Sequence, residues 1–290
     1  MTIAVIIARG GSKRLPRKNV RPFCGHPLVA WAIIQASCSK LIDAVYVSTD
    51  DDEIEAIAKH YGAKVIRRPD WPDADKVAAN RVFLHAIQVL RMEYGERFTE
   101  LVTMLPTTPL VRPDELDKAI VLYRAMGADQ LRPLIPHREF VALKKIHPFM
   151  ARSVIFDKFY NYYSESNGWQ IQSPNWYQSF VGNLFSDLDA DIDRTARDDL
   201  QSTPTECYFT ENEYWQYADV DTAEEFEFAE ILMEHYILNG RGIQVYLDYA
   251  SSADDEDALY RAAIIGKGNN EAGYLVSAGN LSQLTVDKEE

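Results

Sequence analysis

Over its first ~130 residues the chain alternates short apolar runs with longer segments of helical period, the pattern of a parallel sheet with helices on both faces. The runs predicted as strands are Ile3–Ala8, Asp43–Ser48, Ala63–Ile66 and Leu101–Leu105. Helices are predicted over Pro27–Ser37, Asp52–Tyr61, Val77–Met92 and Glu115–Met126. Local signals agree with these assignments. Pro27 suits a first helical turn, Thr49, Asp50 and Asp51 are N-cap candidates, and Gly62 can end a helix. Leu116, Ala119, Ile120 and Tyr123 fall on one helical face. Sheets of this kind bind ligands outside the carboxyl ends of their strands. The loop after the first apolar run therefore lies at the functional end.

That loop reads ARGGSKRLPRKN over residues 8–19. Small residues directly after a strand let backbone N–H groups converge on an anion, and Arg9, Lys13 and Lys18 add positive charge. Ser12 supplies a hydroxyl donor and Pro16 stiffens the turn. The chain carries a net charge of −14, yet Met1–Gly25 contains six Lys or Arg and no Asp or Glu. A short basic segment on an acidic protein fits a local site for a phosphorylated small molecule better than a nucleic-acid groove. It also argues against a merely solvated turn. The loop matches neither G-x-x-x-x-G-K-[ST] nor G-x-G-x-x-G. G-x-S-x-G, H-E-x-x-H and C-x-x-C are likewise missing from the sequence, so it offers no hydrolase, zincin or thiol-redox motif. His85 falls within a helical segment and reads as a packed residue.

Farther along, Asp219 and Asp221 lie two apart just before a predicted helix, Thr222–Leu238, with Thr222 as its cap. On an extended segment they point the same way, and paired carboxylates suit a hard cation. A second alternating set, Asp187, Asp189, Asp191 and Asp193, is a rival metal site or a solvated loop. Residues 136–185 are rich in aromatics without a clear period, which fits an insertion that packs internally, lines an acceptor pocket or contacts a second subunit. Three scattered cysteines do not make a disulfide framework. No run of about 18 apolar residues occurs, and the N-terminal apolar stretch is shorter than a secretory core, so a cytoplasmic location without membrane contact is expected.

Four motifs in order resemble the acylneuraminate cytidylyltransferases, the family that makes CMP-activated sialic, legionaminic and pseudaminic acids. They are ARGGSKRLPRKN followed by FCGHPL, VSTDDDEIEAIAKHYGAKVIRRP (47–69), LPTTPLVRP (105–113) and ADVDTAEEFEFAE (218–230). Arg68, Asp75 and His85 are spaced as in that family. The resemblance implies a mononucleotide-binding α/β fold of the nucleotide-diphospho-sugar transferase type. It places Arg9, Gly10, Gly11, Ser12, Lys13 and Lys18 on the phosphates of CTP, and Asn19, Arg68 and Asp75 with the rest of the nucleotide. Thr107, Gln178 and Asn183 would face the acceptor, and Asp219 and Asp221 would hold Mg²⁺. Lys18, Arg9 and Asp221 are the expected catalytic groups. The chain departs from the pattern at Leu105, where the family often has an acceptor-facing Gln, at Ala78 and Ala79, where hydroxyl residues near the base are common, and at Val111, which precedes Arg112.

The expected activity is transfer of CMP from CTP to the anomeric hydroxyl of a nonulosonic acid with release of pyrophosphate. The alternatives are the same chemistry on another sugar or sugar acid, and a non-catalytic nucleotide-binding module. The expected organisation is a nucleotidyltransferase domain over residues 1–239, with 136–185 as an acceptor or dimerisation insertion, and an acidic extension over 240–290. A homodimer that binds CTP and a sugar acid, and no nucleic acid, completes the expectation.

Overall fold

A computed structural model describes residues 1–12, 14–69, 71, 77–137, 162–165, 168–179 and 207–252. Its strands are β1 (Thr2–Ile7), β2 (Pro22–Phe23), β3 (His26–Pro27), β4 (Ala44–Thr49), β5 (Lys64–Arg67), β6 (Glu100–Met104), β7 (Gln130–His137), β8 (Tyr162–Glu165), β9 (Trp169–Gln172) and β10 (Cys207–Glu211). Its helices are α1 (Leu28–Cys38), α2 (Asp52–His60), α3 (Ala79–Tyr94), α4 (Pro113–Met126), α5 (174–179), α6 (Ala223–Met233) and α7 (Gln244–Ser251). The main sheet runs β10-β7-β9-β6-β1-β4-β5, with β8 added to β7.

The half built from β6, β1, β4 and β5 is wholly parallel, as the alternating sequence predicts. The far half is mixed, because β9 runs antiparallel to both β6 and β7. The chain steps outward from β1 through β4 to β5 and then returns to place β6 on the other side of β1. The strand order reverses between β1 and β6, and in doubly wound sheets such a reversal opens a crevice at the carboxyl ends.

The strand β1 shows why an apolar run must sit at the centre. Ala4 and Ile6 join one core with α1, α4 and α6, while Ile3 and Val5 join a second with α3. Alternate residues thus face opposite layers and both are buried, so neither position tolerates a polar side chain. The four apolar residues expected on one face of α4 are all buried. Asp51 caps α2 by accepting from Ile54 N at 3.0 Å. Pro113 opens α4, and Gly127, at φ 60°, closes it. The helix predicted over Thr222–Leu238 divides into α6 and a π-helical turn, Glu234–Leu238, which ends at Asn239 with φ 47°. Among the described residues no helix is long and apolar enough to cross a membrane.

The core continues beyond residue 239, where sequence patterning fades. Helix α7 brings Tyr246 into the core at 1 % exposure, with its ring 5.8 Å from that of Trp31. Tyr249 donates to buried Asp117 at 2.6 Å, and the same carboxylate accepts from the backbone N–H groups of Lys40 and Leu41. One carboxylate therefore ties α7 to α4 and to the end of α1. The remainder of the expected extension, 253–290, lies outside the described residues. A chain cut after Asn239 loses Tyr246 and should melt on the order of 10 °C lower, since removing a buried aromatic costs about 3–5 kcal/mol. A cut after Ser252 keeps Tyr246 and Tyr249 and is the reference for this loss. Thermal denaturation of the two truncations checks this, and equal midpoints would show that α7 contributes nothing.

Candidate active site

The loop after β1 is folded against α2 by its own charges. Arg17 adopts a left-handed conformation at φ 57° and pairs with Asp51 and Glu53 in the first turns of α2. This pairing holds the Asp51 carboxyl below the usual range. Gly10 approaches the same carboxylate so closely that a Cβ there would overlap Asp51 Oδ2. Only glycine permits this approach. The Gly10 N–H donates to Asp50 Oδ1 at 3.2 Å, so one member of the expected anion nest is turned toward a carboxylate. Arg17 is therefore a fastener of the loop, and the charges left to face the crevice come from its other basic residues.

Lys18 occupies the short 3-10 turn Lys18–Val20 and is buried at 7 % exposure. Its Nζ donates to the carbonyl of Val220 and lies 2.9 Å from Asp221 Oδ1. Arg14 pairs with the other oxygen of that carboxylate at 2.6 Å. Next to Lys18, Asn19 donates to the carbonyl of Arg9 at 2.9 Å, which closes the loop on itself.

The aspartate segment reaches this place because it is docked on the loop after β6. Val220 N donates to Thr107 O at 2.7 Å, and Gln216 Nε2 donates to Leu110 O at 2.9 Å and to the carboxylate of Glu115. Val220 is fully buried, so the flanking Asp219 and Asp221 turn outward together, as alternation on an extended segment requires. Thr222 then caps α6 in a box with Glu225. Asp219 reaches solvent, yet desolvation in the crevice raises its carboxyl above the usual range. Asp221 and Glu225 push it the same way, against the Thr107 hydroxyl and Lys18. Among the described residues no cluster of three or more His, Cys, Asp or Glu forms a ready metal site. Any cation held by this pair would take its other oxygens from water and phosphate, the usual habit of Mg²⁺.

On the other side of β1, Arg68 donates to Ser48 O at 2.8 Å and to Ser48 Oγ at 3.2 Å. Burial, with help from Arg9, brings its pKa down to about 10, while Asp50 opposes the shift. Arg68 also depresses His85, whose ring is already partly desolvated and stands edge-on to Trp71 at 5.6 Å. His85 is thus a half-buried ring packed edge-on against Trp71 and near a guanidinium, outside the two core clusters.

The structure brings Arg9, Gly10, Lys18, Asn19, Arg68, Thr107, Asp219 and Asp221 to the carboxyl ends of β1, β4 and β6. Gln178 lies on α5, one residue after Tyr177, which packs against Phe83 of α3. Lys13, Asp75, Asn183 and the acidic run 187–193 lie outside the described residues. Sequence spacing did not mark Arg14 as a partner of Asp221. Nor did it mark a cavity of about 160 Å³ lined by Asn80, Thr103, Leu105, Gln170, Gln172 and Tyr177, among others.

In this α/β protein a basic loop and an acidic pair meet at the switch point of a doubly wound sheet. Its nucleotide-diphospho-sugar transferase fold is shared with a CMP:2-keto-3-deoxy-manno-octonic acid synthetase complexed with CTP. That match has TM-score 0.58 and 15% identity, and covers 80% of this chain and 98% of the other. A cytidylyltransferase from Leptospira borgpetersenii aligns over 93% of this chain and 99% of its own, with TM-score 0.53 and 15% identity. The chain belongs to the cytidylyltransferase family, whose model matches residues 3–152, just over half of its length.

Among curated relatives, it is 35% identical over 140 residues to a pseudaminic acid cytidylyltransferase of Campylobacter jejuni, covering 48% of this chain and 58% of that protein. It is 33% identical over 129 residues to the CMP-N,N'-diacetyllegionaminic acid synthase of Legionella pneumophila, covering 43% and 54%. It is 33% identical over 137 residues to N-acylneuraminate cytidylyltransferase B of Danio rerio, covering 47% and 31%. The matched region thus spans about half the length of the two bacterial relatives and under a third of the fish protein.

Proposed function

We propose that the chain transfers CMP from CTP to the anomeric hydroxyl of a nonulosonic acid and releases pyrophosphate. The observation that carries this reading is the clasp between Lys18 and Asp221, 203 residues apart in sequence, which puts the basic loop and the acidic pair at one point. The relatives named for pseudaminic, legionaminic and N-acylneuraminic acids supply the acceptor class.

In this reading the acceptor hydroxyl attacks the α-phosphorus in line, and the oxygen bridging to the β-phosphate leaves. Phosphoryl-type transfers of this kind need positioning and charge neutralisation more than covalent help. Lys18 and Arg9 offset charge on the phosphates, the backbone amide of Gly11 orients them, Ser12 and Lys13 complete the cradle, and Gly10, whose N–H is given to Asp50, contributes only its lack of a side chain. Asn19, Arg68 and Asp75 serve the nucleoside side, while Thr107, Gln178 and Asn183 serve the acceptor side. One aspartate of the pair accepts the proton of the hydroxyl. Asp219 and Asp221 suit Mg²⁺ because they offer only oxygens. When bound, the ion supplies charge neutralisation at the triphosphate. A cytoplasmic homodimer using the 136–185 segment belongs to the same proposal.

The deciding experiment measures pyrophosphate release from each of the four ribonucleoside triphosphates against a panel of sugar acids. Release with CTP and an acylamino nonulosonic acid is expected. Preference for another triphosphate, or no release with any acid in the panel, would sink the reading.

A further inference from the structure

The cavity of about 160 Å³ lies on the side of β1 opposite Arg68, where the ends of β6 and β9 meet the start of α3. Its walls come from those three elements and from Tyr177, and no Asp, Glu, Lys, Arg or His stands among the described residues that line it. The lining side chains are uncharged, although Arg132 lies near enough to act on Tyr177 electrostatically, so the cavity suits a polar ligand held mainly by hydrogen bonds.

The strand β9 explains the polarity. Trp169 and Ile171 point into the core shared with α1 and α4, so Gln170 and Gln172 emerge on the α3 face. Gln130 stands directly opposite Gln172 on the neighbouring strand. Its Nε2 donates to Gln172 Oε1 at 2.9 Å and to Gln170 Oε1 at 3.3 Å. Since the oxygen of Gln172 takes this bond, the amide is oriented with its nitrogen as the unused end. Gln172 is completely buried, and its Nε2 has no hydrogen-bond partner among the described residues. A buried donor without an acceptor is costly, and folding alone gives no reason to keep one.

The neighbours offer donors too. Tyr177 donates to Asn80 Oδ1 at 3.1 Å, so what Asn80 can still offer a ligand is Nδ2. Thr103 already spends its hydroxyl proton on Gln170 O at 3.4 Å. The cavity therefore presents amide donors against apolar walls from Phe83, Met104 and Leu105.

We infer that Gln172, oriented by Gln130, is a specificity-determining residue that donates its side-chain amide to an oxygen of the acceptor, with Asn80 as a second donor. The inference rests on the proposed transfer reaction. The acceptor is favoured over the nucleobase as occupant because Arg68, assigned to the nucleoside, lies across β1 on the β4 side. Leu105, in the cavity wall, is two residues from Thr107, whose carbonyl holds the aspartate segment. An acceptor seated here is therefore next to the reacting phosphate.

The test uses the full chain with Gln172→Met and Asn80→Ala. Pyrophosphate release is followed with the acceptor varied at saturating CTP and with CTP varied at saturating acceptor. Acceptor-dependent stabilisation of Tm serves as a second readout. Gln172→Met should raise the acceptor KM about tenfold, the size of one lost hydrogen bond, with kcat and the CTP KM within about twofold. Asn80→Ala should raise the acceptor KM severalfold in the same pattern, and it decides the matter if Gln172→Met does not fold. Unchanged acceptor KM in both variants, with an active wild type, overturns this inference alone. An equal rise in the CTP KM assigns the cavity to the base and also overturns it. A wild type that neither releases pyrophosphate nor is stabilised by any sugar acid overturns the transfer reading and this inference together.

Discussion

Lys18→Ala should lower kcat by about 100- to 1,000-fold at saturating triphosphate, the loss of about 2.7–4 kcal/mol typical when one preorganised charge partner is removed from a developing charge. The expectation follows from where the side chain sits. Its Nζ is buried and held by Val220 O and Asp221, so it is already fixed at the junction of the two halves of the site. A group fixed in advance needs no reorganisation when charge builds at the α-phosphate. The same burial means that Ala also leaves a carbonyl and a carboxylate short of a donor. Lys18→Met keeps the aliphatic stem and separates packing from charge. Both variants should bind triphosphate more weakly and lose kcat to a similar degree, with circular dichroism unchanged. A Lys18→Met enzyme that retains near wild-type kcat would remove the loop from the chemistry.

The parallel half of the fold was legible because its cause is local. A buried central strand must be apolar on both faces, and the residues of β1 are read directly as such. Helices α2 and α4 carry their own caps and closing glycines, so their limits fall within a few residues of the predicted ones. Helix α7 was not legible, because what orders it is a single tyrosine reaching Trp31 and a second reaching Asp117, neither of which creates a periodic signal. Likewise, the basic loop marked itself by composition, whereas the division of labour within it did not. Arg17 and Lys18 are adjacent and both cationic, yet Arg17 is committed to α2 and Lys18 to the far aspartate segment. That difference depends on the left-handed turn at Arg17 and on a segment 203 residues away from Lys18. The glutamine trio is invisible for the same reason. Gln130, Gln170 and Gln172 read as ordinary polar residues until antiparallel pairing sets Gln130 opposite Gln172.

Asp221→Asn should lower kcat by about 100-fold or more while the chain remains folded, and Asp219→Asn should act in the same direction. Both substitutions keep side-chain shape, and the asparagine oxygen at 221 can still accept from Lys18. What is lost is negative charge at a point already rich in cations. In the structure Asp221 is shared between Lys18 and Arg14, at 2.9 and 2.6 Å, so a divalent ion must compete with both for this carboxylate. Triphosphate makes that competition winnable, since its own charge draws the exposed Arg14 toward phosphate oxygens and frees Asp221 Oδ2 for the ion. Metal and nucleotide should therefore bind cooperatively, and the apparent Mg²⁺ affinity should be stronger with CTP than without it. Asp221→Asn should weaken this coupling, and raised Mg²⁺ should restore part of the lost rate. Titration of Mg²⁺ with pyrophosphate release as the readout, at several fixed CTP concentrations, measures the coupling directly. Asp189→Asn, in the rival acidic run, is the control and should leave the rate near wild type. If Asp189→Asn abolishes activity while Asp221→Asn preserves it, the cation belongs to residues 187–193 and the 219–221 pair serves only to hold Lys18 in place.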